Sequence, residues 1–480
     1  MKLTILGGGG FRVPLVHRAL LGDPLVTELV LHDTDELRLR VVGAVLAAQR
    51  AAWEEGGAGG APRVSPASAG TGAAAGAAGA VRGARAVRAP SAASAGAVRA
   101  PVVSLTSDLD EALRGADVVF SAMRVGGTAG RVTDERVPLA EGVLGQETVG
   151  AGGVLYGLRT VPVAMAVAER VKALAPEAWV INFTNPAGMV TEAMARVLGP
   201  RVIGICDSPV GLVRRAARAA GADPDAPDFG YDYVGLNHLG WLRRLTVGGR
   251  DLLPALLADP AALAGFEEGR LFGPAWLAAL GSLPNEYLHY YYFQREALAA
   301  VRAAPATRGE FLDRQQSAFF AAAHRAPADA YRLWEGTRRE REETYMAENR
   351  AATGGWERDP HDLDGGGYDR VALALMRAIA RDERTVLILN VPGNGAVSFL
   401  DAAAVVEVPC EVGAFGARPL PVAPPDEHQA GLMLAVKSVE RAAVEAATTG
   451  SRRAALRALA LHPLVDSAAV ADRILTAAGW

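Results

Sequence analysis

Three short segments carry side chains suited to metal or proton chemistry. Cys206 opens Cys206-Asp207-Ser208-Pro209, at the end of an apolar run. A thiolate at a helix N-terminus can ligate a soft or borderline metal, whereas a lone cysteine otherwise packs as a small buried hydrophobe. His238 lies in Gly235-Leu236-Asn237-His238-Leu239-Gly240-Trp241. Its imidazole offers either a second metal ligand or a structural core group. The run Pro284-Asn285-Glu286-Tyr287-Leu288-His289-Tyr290-Tyr291-Tyr292 holds four of the ten tyrosines. A phenol becomes a general base only when a metal and a cationic cofactor lower its pKa; the alternative is an aromatic core helix.

Other segments suit ligand binding. Arg124-Val125-Gly126-Gly127-Thr128-Ala129-Gly130-Arg131 places two arginines around glycines, followed by Asp134-Glu135. Guanidinium groups bind phosphate as a bidentate fork, and an ordinary surface loop with ion pairs is the alternative. Gly145-Gln146-Glu147-Thr148 is a polar cluster among glycines, read as a turn or as a loop pressed on a ligand. Asn185 precedes Pro186, which disfavours helix at Asn185 and leaves its amide free to face a crevice; a helix N-cap is the other reading. Gly7-Gly8-Gly9-Gly10 stands between an apolar run and a helical pattern. Glycines there let the backbone approach a pyrophosphate, and the helix N-terminus adds N–H donors. Asp33 follows the next apolar run, about where an acidic residue binds an adenosine ribose.

The elements that must position these groups follow a rhythm. Strands are predicted over 2–6, 29–32, 102–105, 117–122, 179–183 and 202–206, and helices over 11–21, 35–53, 109–114, 161–173 and 186–197. Short apolar strands alternating with helices predict a doubly wound, Rossmann-like parallel sheet over 1–211. Beyond 211 the rhythm changes. Residues 231–245 read as antiparallel strands before the turn-like Gly248-Gly249, and 386–391 as a buried strand. Helices are expected over 328–349, 368–381, 426–447 and 454–461. We read 212–480 as an α+β catalytic and oligomerisation domain. Residues 55–100, mostly Ala, Gly, Ser, Arg and Pro, read as a low-complexity flexible insertion.

Composition narrows the function. With 480 residues, two domains is the default. A net charge of −4 without a basic stripe argues against nucleic acid as a partner. Two distant cysteines form no disulfide framework and fit a reducing, cytoplasmic setting. No uninterrupted apolar run reaches membrane-spanning length, so no membrane partner is expected. Lys2, Lys172 and Lys437 are the only lysines, so phosphate recognition falls to arginine or backbone N–H groups. No convincing acid/base carboxylate pair stands out.

In order, the Gly-rich turn, R-V-G-G-x-x-x-R-x-x-D-E, G-Q-E-T, N-P-A, C-D-x-P, N-H and P-x-x-Y-L-x-Y-Y resemble glycoside hydrolase family 4. The tail segments Asn390-Val391-Pro392-Gly393-Asn394-Gly395 and Leu461-His462-Pro463-Leu464-Val465 are similar too. Within the family the likeness is greatest to the 6-phospho-β-glucosidases. The resemblance implies NAD and a divalent metal, usually Mn²⁺, and a phosphorylated glycoside as substrate. It implies oxidation at sugar C3, elimination across C1–C2, water addition and re-reduction. It makes Cys206 and His238 the metal ligands and Tyr287 the base at C2. Asn185 becomes a substrate contact, Arg131 and Arg308 phosphate contacts, and Glu147 an active-site carboxylate. Asp207 is the candidate general acid. β-Specific members typically carry Asn after the cysteine and α-specific ones often Asp, so Asp207 opens a 6-phospho-α-glucosidase or other family 4 reading. A homodimer or homotetramer is expected. The rival classes are an NAD-dependent hydroxy-acid dehydrogenase of the malate/lactate type and a non-catalytic sugar-phosphate sensor.

Overall fold

A computed structural model of the chain describes residues 1–56, 100–359 and 367–480. The expected insertion at 55–100 therefore lies almost wholly outside the described residues.

Six parallel strands form one side of a single sheet. They are β1 (Lys2–Leu6), β2 (Glu28–His32), β3 (Val102–Thr106), β4 (Val118–Ser121), β5 (Trp179–Asn182) and β6 (Val202–Gly204), in the order β3-β2-β1-β4-β5-β6. This is the Rossmann order. The chain winds outward in both directions from β1 and β4, and the crevice beyond their carboxyl ends is where such sheets bind ligands. Leu3, Ile5, Val119, Phe120, Val180 and Ile181 are buried, as strands covered on both faces require. The crossovers are α1 (Val13–Leu20), α2 (Glu36–Gly56), α3 (Leu109–Leu113), α4 (Gly127–Ala140), α5 (Gly150–Leu174), α6 (Ala187–Leu198) and α7 (Ser208–Ala219).

The sheet does not stop at residue 211. Strands β7 (Phe229–Leu236), β8 (Leu239–Val247), β9 (Arg250–Asp251), β10 (Leu283–Pro284), β11 (Thr385–Pro392), β12 (Val405–Gly413) and β13 (Gly416–Pro419) extend it. β11 pairs with β6 in antiparallel fashion, and the order continues β11-β12-β7-β8-β10. The first and second halves of the chain thus share one thirteen-stranded sheet. Gly248 and Gly249, with φ of 55° and 81°, make the turn from β8 to β9.

Three elements differ from the sequence expectation. The Arg124–Glu135 stretch is a loop only to Gly126; from Gly127 it is helical, with Arg131, Asp134 and Glu135 buried. The helix expected over 161–173 begins at Gly150, because glycines at 152 and 153 allow close approach to the Gln146 and Thr148 backbone rather than end the helix. The helix expected over 328–349 breaks between Ala330–Glu343 and Ala347–Ala352, where Met346 takes φ 48°. Helix α5 is long and apolar enough to cross a membrane by length and composition alone. Most of its residues are buried against the protein, and Arg159 interrupts its apolar run, which marks a core helix.

Candidate active site

The turn after β1 opens the crevice. Gly7 has φ +80°, and a Cβ there would lie 2.6 Å from the Ala122 carbonyl oxygen, so the close approach of this turn to the exit of β4 needs glycine. The Gly10 N–H donates to Gly7 O at 2.9 Å, and the Val13 N–H to Gly10 O at 3.1 Å, which starts α1. Gly8 and Gly9 face β2 instead. Their N–H groups donate to His32 O at 2.8 Å and to Asp33 Oδ2 at 2.9 Å. Asp33 is therefore tied to the turn itself. Of these five residues, only Gly7 and Gly10 line the large cavity.

That cavity, of about 2660 Å³, brings together residues far apart in sequence. Arg124, Arg131, Glu147, Asn185, Cys206, Asp207, His238, Tyr287 and Arg308 all line it. Asn185, Cys206 and Asp207 come from the carboxyl ends of β5 and β6, His238 from the β7–β8 turn, and Tyr287 from the short segment after β10. This is where a doubly wound sheet collects functional groups.

Cys206 and His238 are both buried. Burial, then Glu407 and Asp207, push the Cys206 thiol well up, so it ligates only if a cation displaces its proton. Burial lowers His238 to about 4, so the imidazole is neutral at pH 7. Its Nδ1 meets Thr148 Oγ1 at 2.8 Å, leaving Nε2 as the nitrogen free to ligate. The backbone at His238 has φ 62°, which aims the ring from a tight turn. Buried Asn185 Oδ1 has no hydrogen-bond partner. Among the described residues no group of three His, Cys, Asp or Glu side chains is gathered for a metal. One thiol, one imidazole and an unpartnered amide oxygen on the cavity wall would hold a divalent ion; the soft thiol does not by itself select a hard ion such as Mn²⁺.

The Tyr287 ring stacks on His238 at 3.7 Å between centroids and 13° between planes. Its hydroxyl accepts from the Tyr345 hydroxyl at 3.2 Å. Burial, then Glu286 and Cys206, push the Tyr287 phenol well above its ordinary range. A cation at His238 and Cys206 would act in the opposite direction. Glu286, beside it, accepts from Ser208 Oγ at 2.6 Å, and burial with nearby Glu268 pushes it up to about 8.

The arginines divide into two sets. Arg131 gives Nε to Glu135 at 2.7 Å and Nη1 to Glu147 at 2.6 Å, and Arg124 also pairs with Glu147. Burial raises Glu147, but the two guanidiniums override it and hold the carboxyl at about 2. Arg308 donates only to neutral oxygens, Thr344 Oγ1 at 2.8 Å and Arg341 O at 2.8 Å. Burial, then repulsion from Arg341 and Arg131, lower it to about 10. An anion placed there would relieve that repulsion. Arg308 sits at the first turn of the helix Arg308–Arg325, whose capping box uses Thr307 and Glu310. Asp207 pairs with Arg12 at 3.2 Å.

Sequence reasoning missed Tyr345, Arg341 and Arg12. Tyr345 and Arg341 stand in a charged helical stretch with no distinctive spacing, and only the fold carries them to Tyr287 and Arg308. Arg12 had a signal, being a cation two residues past the glycine turn.

A Rossmann-type sheet whose crevice gathers thiol, imidazole, phenol and guanidinium groups defines an α/β enzyme class working on a polar ligand. The chain matches the family 4 glycosyl hydrolase profile over 93–222 and that of the family's C-terminal domain over 233–465. The 6-phospho-beta-glucosidase of Escherichia coli is 34% identical over 374 residues, which are 75% of this chain and 77% of that one. The 6-phospho-alpha-glucosidase 1 of Lacticaseibacillus paracasei is 33% identical over 399 residues, 78% and 83% of the two chains. A crystal structure of a 6-phospho-alpha-glucosidase from gut microorganisms, in complex with NAD and glucose-6-phosphate, superposes with a TM-score of 0.75 at 26% identity, covering 99% of this chain and 96% of that one. The chain belongs to family 4 of the glycosyl hydrolases.

Proposed function

We propose that this protein hydrolyses 6-phospho-β-glucosides with the help of NAD and a divalent metal such as Mn²⁺. The observation that carries the reading is the convergence of Cys206, His238 and Tyr287 beside the Gly7 turn, with His238 and Tyr287 stacked at 3.7 Å. The relatives named for 6-phosphoglucosidase activity, and the similar fold bound to NAD and glucose-6-phosphate, support it.

Gly7, Gly10 and the start of α1 would receive the dinucleotide, with Asp33, held against the turn by Gly9, the candidate for its ribose. Cys206 and His238 would hold the metal. When bound, these groups supply reversible oxidation at sugar C3 and polarisation of the C3 oxygen. The chain's own residues do the rest. Tyr287 takes the proton from C2, which a neighbouring C3 carbonyl makes acidic. Asp207 gives a proton to the glycosidic oxygen as the C1–O bond breaks, leaving a C1–C2 double bond. Water then adds its oxygen at C1, giving a proton back to Asp207, and Tyr287 returns a proton to C2. Asn185 contacts a sugar hydroxyl. Arg308 and Arg131 hold the 6-phosphate, with Glu147 fixing Arg131 and Arg124. Residues 1–211 and 212–480 act as nucleotide-binding and substrate-binding units, in a homodimer or homotetramer.

A second reading, a 6-phospho-α-glucosidase, is favoured by Asp207, the residue after Cys206. Hydrolysis of p-nitrophenyl 6-phospho-β-glucoside, its α anomer and the unphosphorylated glucoside separates these. We expect nitrophenol release from the phosphorylated β anomer only with NAD⁺ and Mn²⁺ both present, and no net NADH. Preference for the α anomer would replace the first reading with the second. NADH accumulating with a 2-hydroxy acid, without glycoside cleavage, would replace both by a dehydrogenase.

A further inference from the structure

A fully buried carboxylate outside the reaction sequence closes the part of the sheet that delivers both proposed metal ligands. Gly204 of β6, Asn390 of β11, Glu407 of β12 and Gly235 of β7 are register partners in one rung across four strands. Cys206 follows Gly204 by two residues, and His238 follows Gly235 by three. Glu407 has no exposed surface. Its Oε1 accepts from Asn390 Nδ2 at 2.9 Å and from Asn237 Nδ2 at 3.3 Å, and its Oε2 accepts from the Tyr233 hydroxyl at 2.9 Å. Neighbouring glycines leave room for these partners. A Cβ on Gly204 would lie 2.8 Å from Asn390 Cβ, and one on Gly240 would collide with the Tyr233 hydroxyl.

A carboxylate buried this deeply is costly and persists only where a full set of donors satisfies it. The donors here come from two strands, β11 (Asn390) and β7 (Tyr233), and from Asn237, the residue before His238. His238 itself has φ 62°, a backbone that ordinary residues rarely adopt without outside support. Glu407 grips this turn through Asn237 on one side, and Thr148 holds the imidazole on the other. Through Asn390, the same carboxylate is linked to Gly204 of β6, two residues before Cys206.

We propose that Glu407 is the positioning residue of the Cys206–His238 pair, setting the distance between strand β6 and the β7–β8 turn so that both side chains face one divalent cation. This rests on the reading of those two residues as metal ligands. Partners that orient metal ligands in this indirect way are worth a large share of metal affinity.

The test is Mn²⁺ binding to the purified full-length protein, followed by the electron paramagnetic resonance signal of free Mn²⁺, with NAD⁺ affinity measured in parallel. Glu407→Gln keeps the shape but removes the charge and leaves one oxygen for the two amide donors, with an NH2 set either against one of them or against the Tyr233 hydroxyl, which must turn to accept it. It is expected to weaken Mn²⁺ binding by about 10–100-fold while NAD⁺ affinity stays within about twofold. Asn237→Ala, which leaves the carboxylate in place, is expected to lose much of the same affinity, and the double variant little more than the larger single loss. Asn237→Ala carries the test if Glu407→Gln does not fold. His238→Gln serves as the reference for a lost ligand. Unchanged Mn²⁺ affinity in Glu407→Gln and Asn237→Ala, with binding abolished in His238→Gln, would overturn the positioning role and leave the metal site standing. Absence of Mn²⁺ binding to the unaltered protein would overturn both.

Discussion

Tyr287 stands against His238 in a setting that disfavours its phenolate, so its proposed role depends on what binds beside it. Tyr287→Phe removes only the hydroxyl and keeps the stacked ring. We expect turnover to fall by about 10²–10⁴-fold, the usual worth of a general base, with NAD⁺ binding retained by fluorescence titration. Normal turnover would remove Tyr287 from the reaction. Glu147 makes a different prediction. Its folded pKa of about 2 lies below the unfolded carboxyl near 4.5, so its stabilising contribution is complete above pH 4.5 and is lost as pH falls from there through about 2. The contribution is on the order of 3 kcal/mol. Denaturant unfolding at pH 7, 4 and 3 is expected to show Glu147→Gln losing less stability across that window than the unaltered protein. Cys206 and Asn185 stood out because each follows a short apolar strand, His238 by its Asn-His pair and Tyr287 by its tyrosine cluster. Their convergence was not legible, because it depends on strands from β5 to β10 meeting in one sheet. Arg131 shows the opposite limit: its type suggested phosphate binding, but nothing in the sequence told that Glu135 and Glu147 take its Nε and Nη1.

Elements hold these residues to differing tolerances. The helix Arg308–Arg325 presents Arg308 at its first turn, and its capping box has Thr307 Oγ1 accepting from the Glu310 N–H at 3.2 Å while Glu310 Oε2 accepts from the Thr307 N–H at 2.9 Å. Thr307→Ala is expected to cost about 1 kcal/mol of stability. It is also expected to raise KM for the phosphorylated substrate more than it lowers kcat, because the frayed turn carries Arg308, the guanidinium proposed to bind the phosphate. Equal kcat and KM in that variant would separate Arg308 from phosphate binding. The parallel strands were readable because uninterrupted apolar residues and flanking turns leave few other options. Helix α4 was not: Gly126, Gly127 and Gly130 read as a loop, while its buried face includes Arg131, Asp134 and Glu135, residues that local pattern assigns to solvent. Strand β12 escaped for a related reason. It carries Glu407 and Pro409, both poor central-strand residues, yet it lies between β11 and β7.

Across the whole molecule, one sheet joins a nucleotide-type half to a second half whose strands run antiparallel. Change of hydropathic rhythm near residue 211 marked the switch from parallel to antiparallel pairing, but pairing of β11 with β6 requires two strands 180 residues apart and leaves no local trace. Buried charge helps fasten the halves. Lys437, on the long helix Glu427–Thr449, donates to Glu192 of α6 at 2.9 Å and also pairs with Glu440. Removing one partner strands the others, so Lys437→Ala is expected to destabilise by about 3–5 kcal/mol in denaturant unfolding. A loss under about 1 kcal/mol would mean that water repays the exposed carboxylates. The central claim, cleavage through loss of the C2 proton, is tested most directly by the reaction run in D₂O. Glucose 6-phosphate formed from a 6-phosphoglucoside is predicted to carry deuterium at C2, placed there as Tyr287 returns a solvent-derived proton. Product formed at full rate with hydrogen retained at C2 would contradict the account.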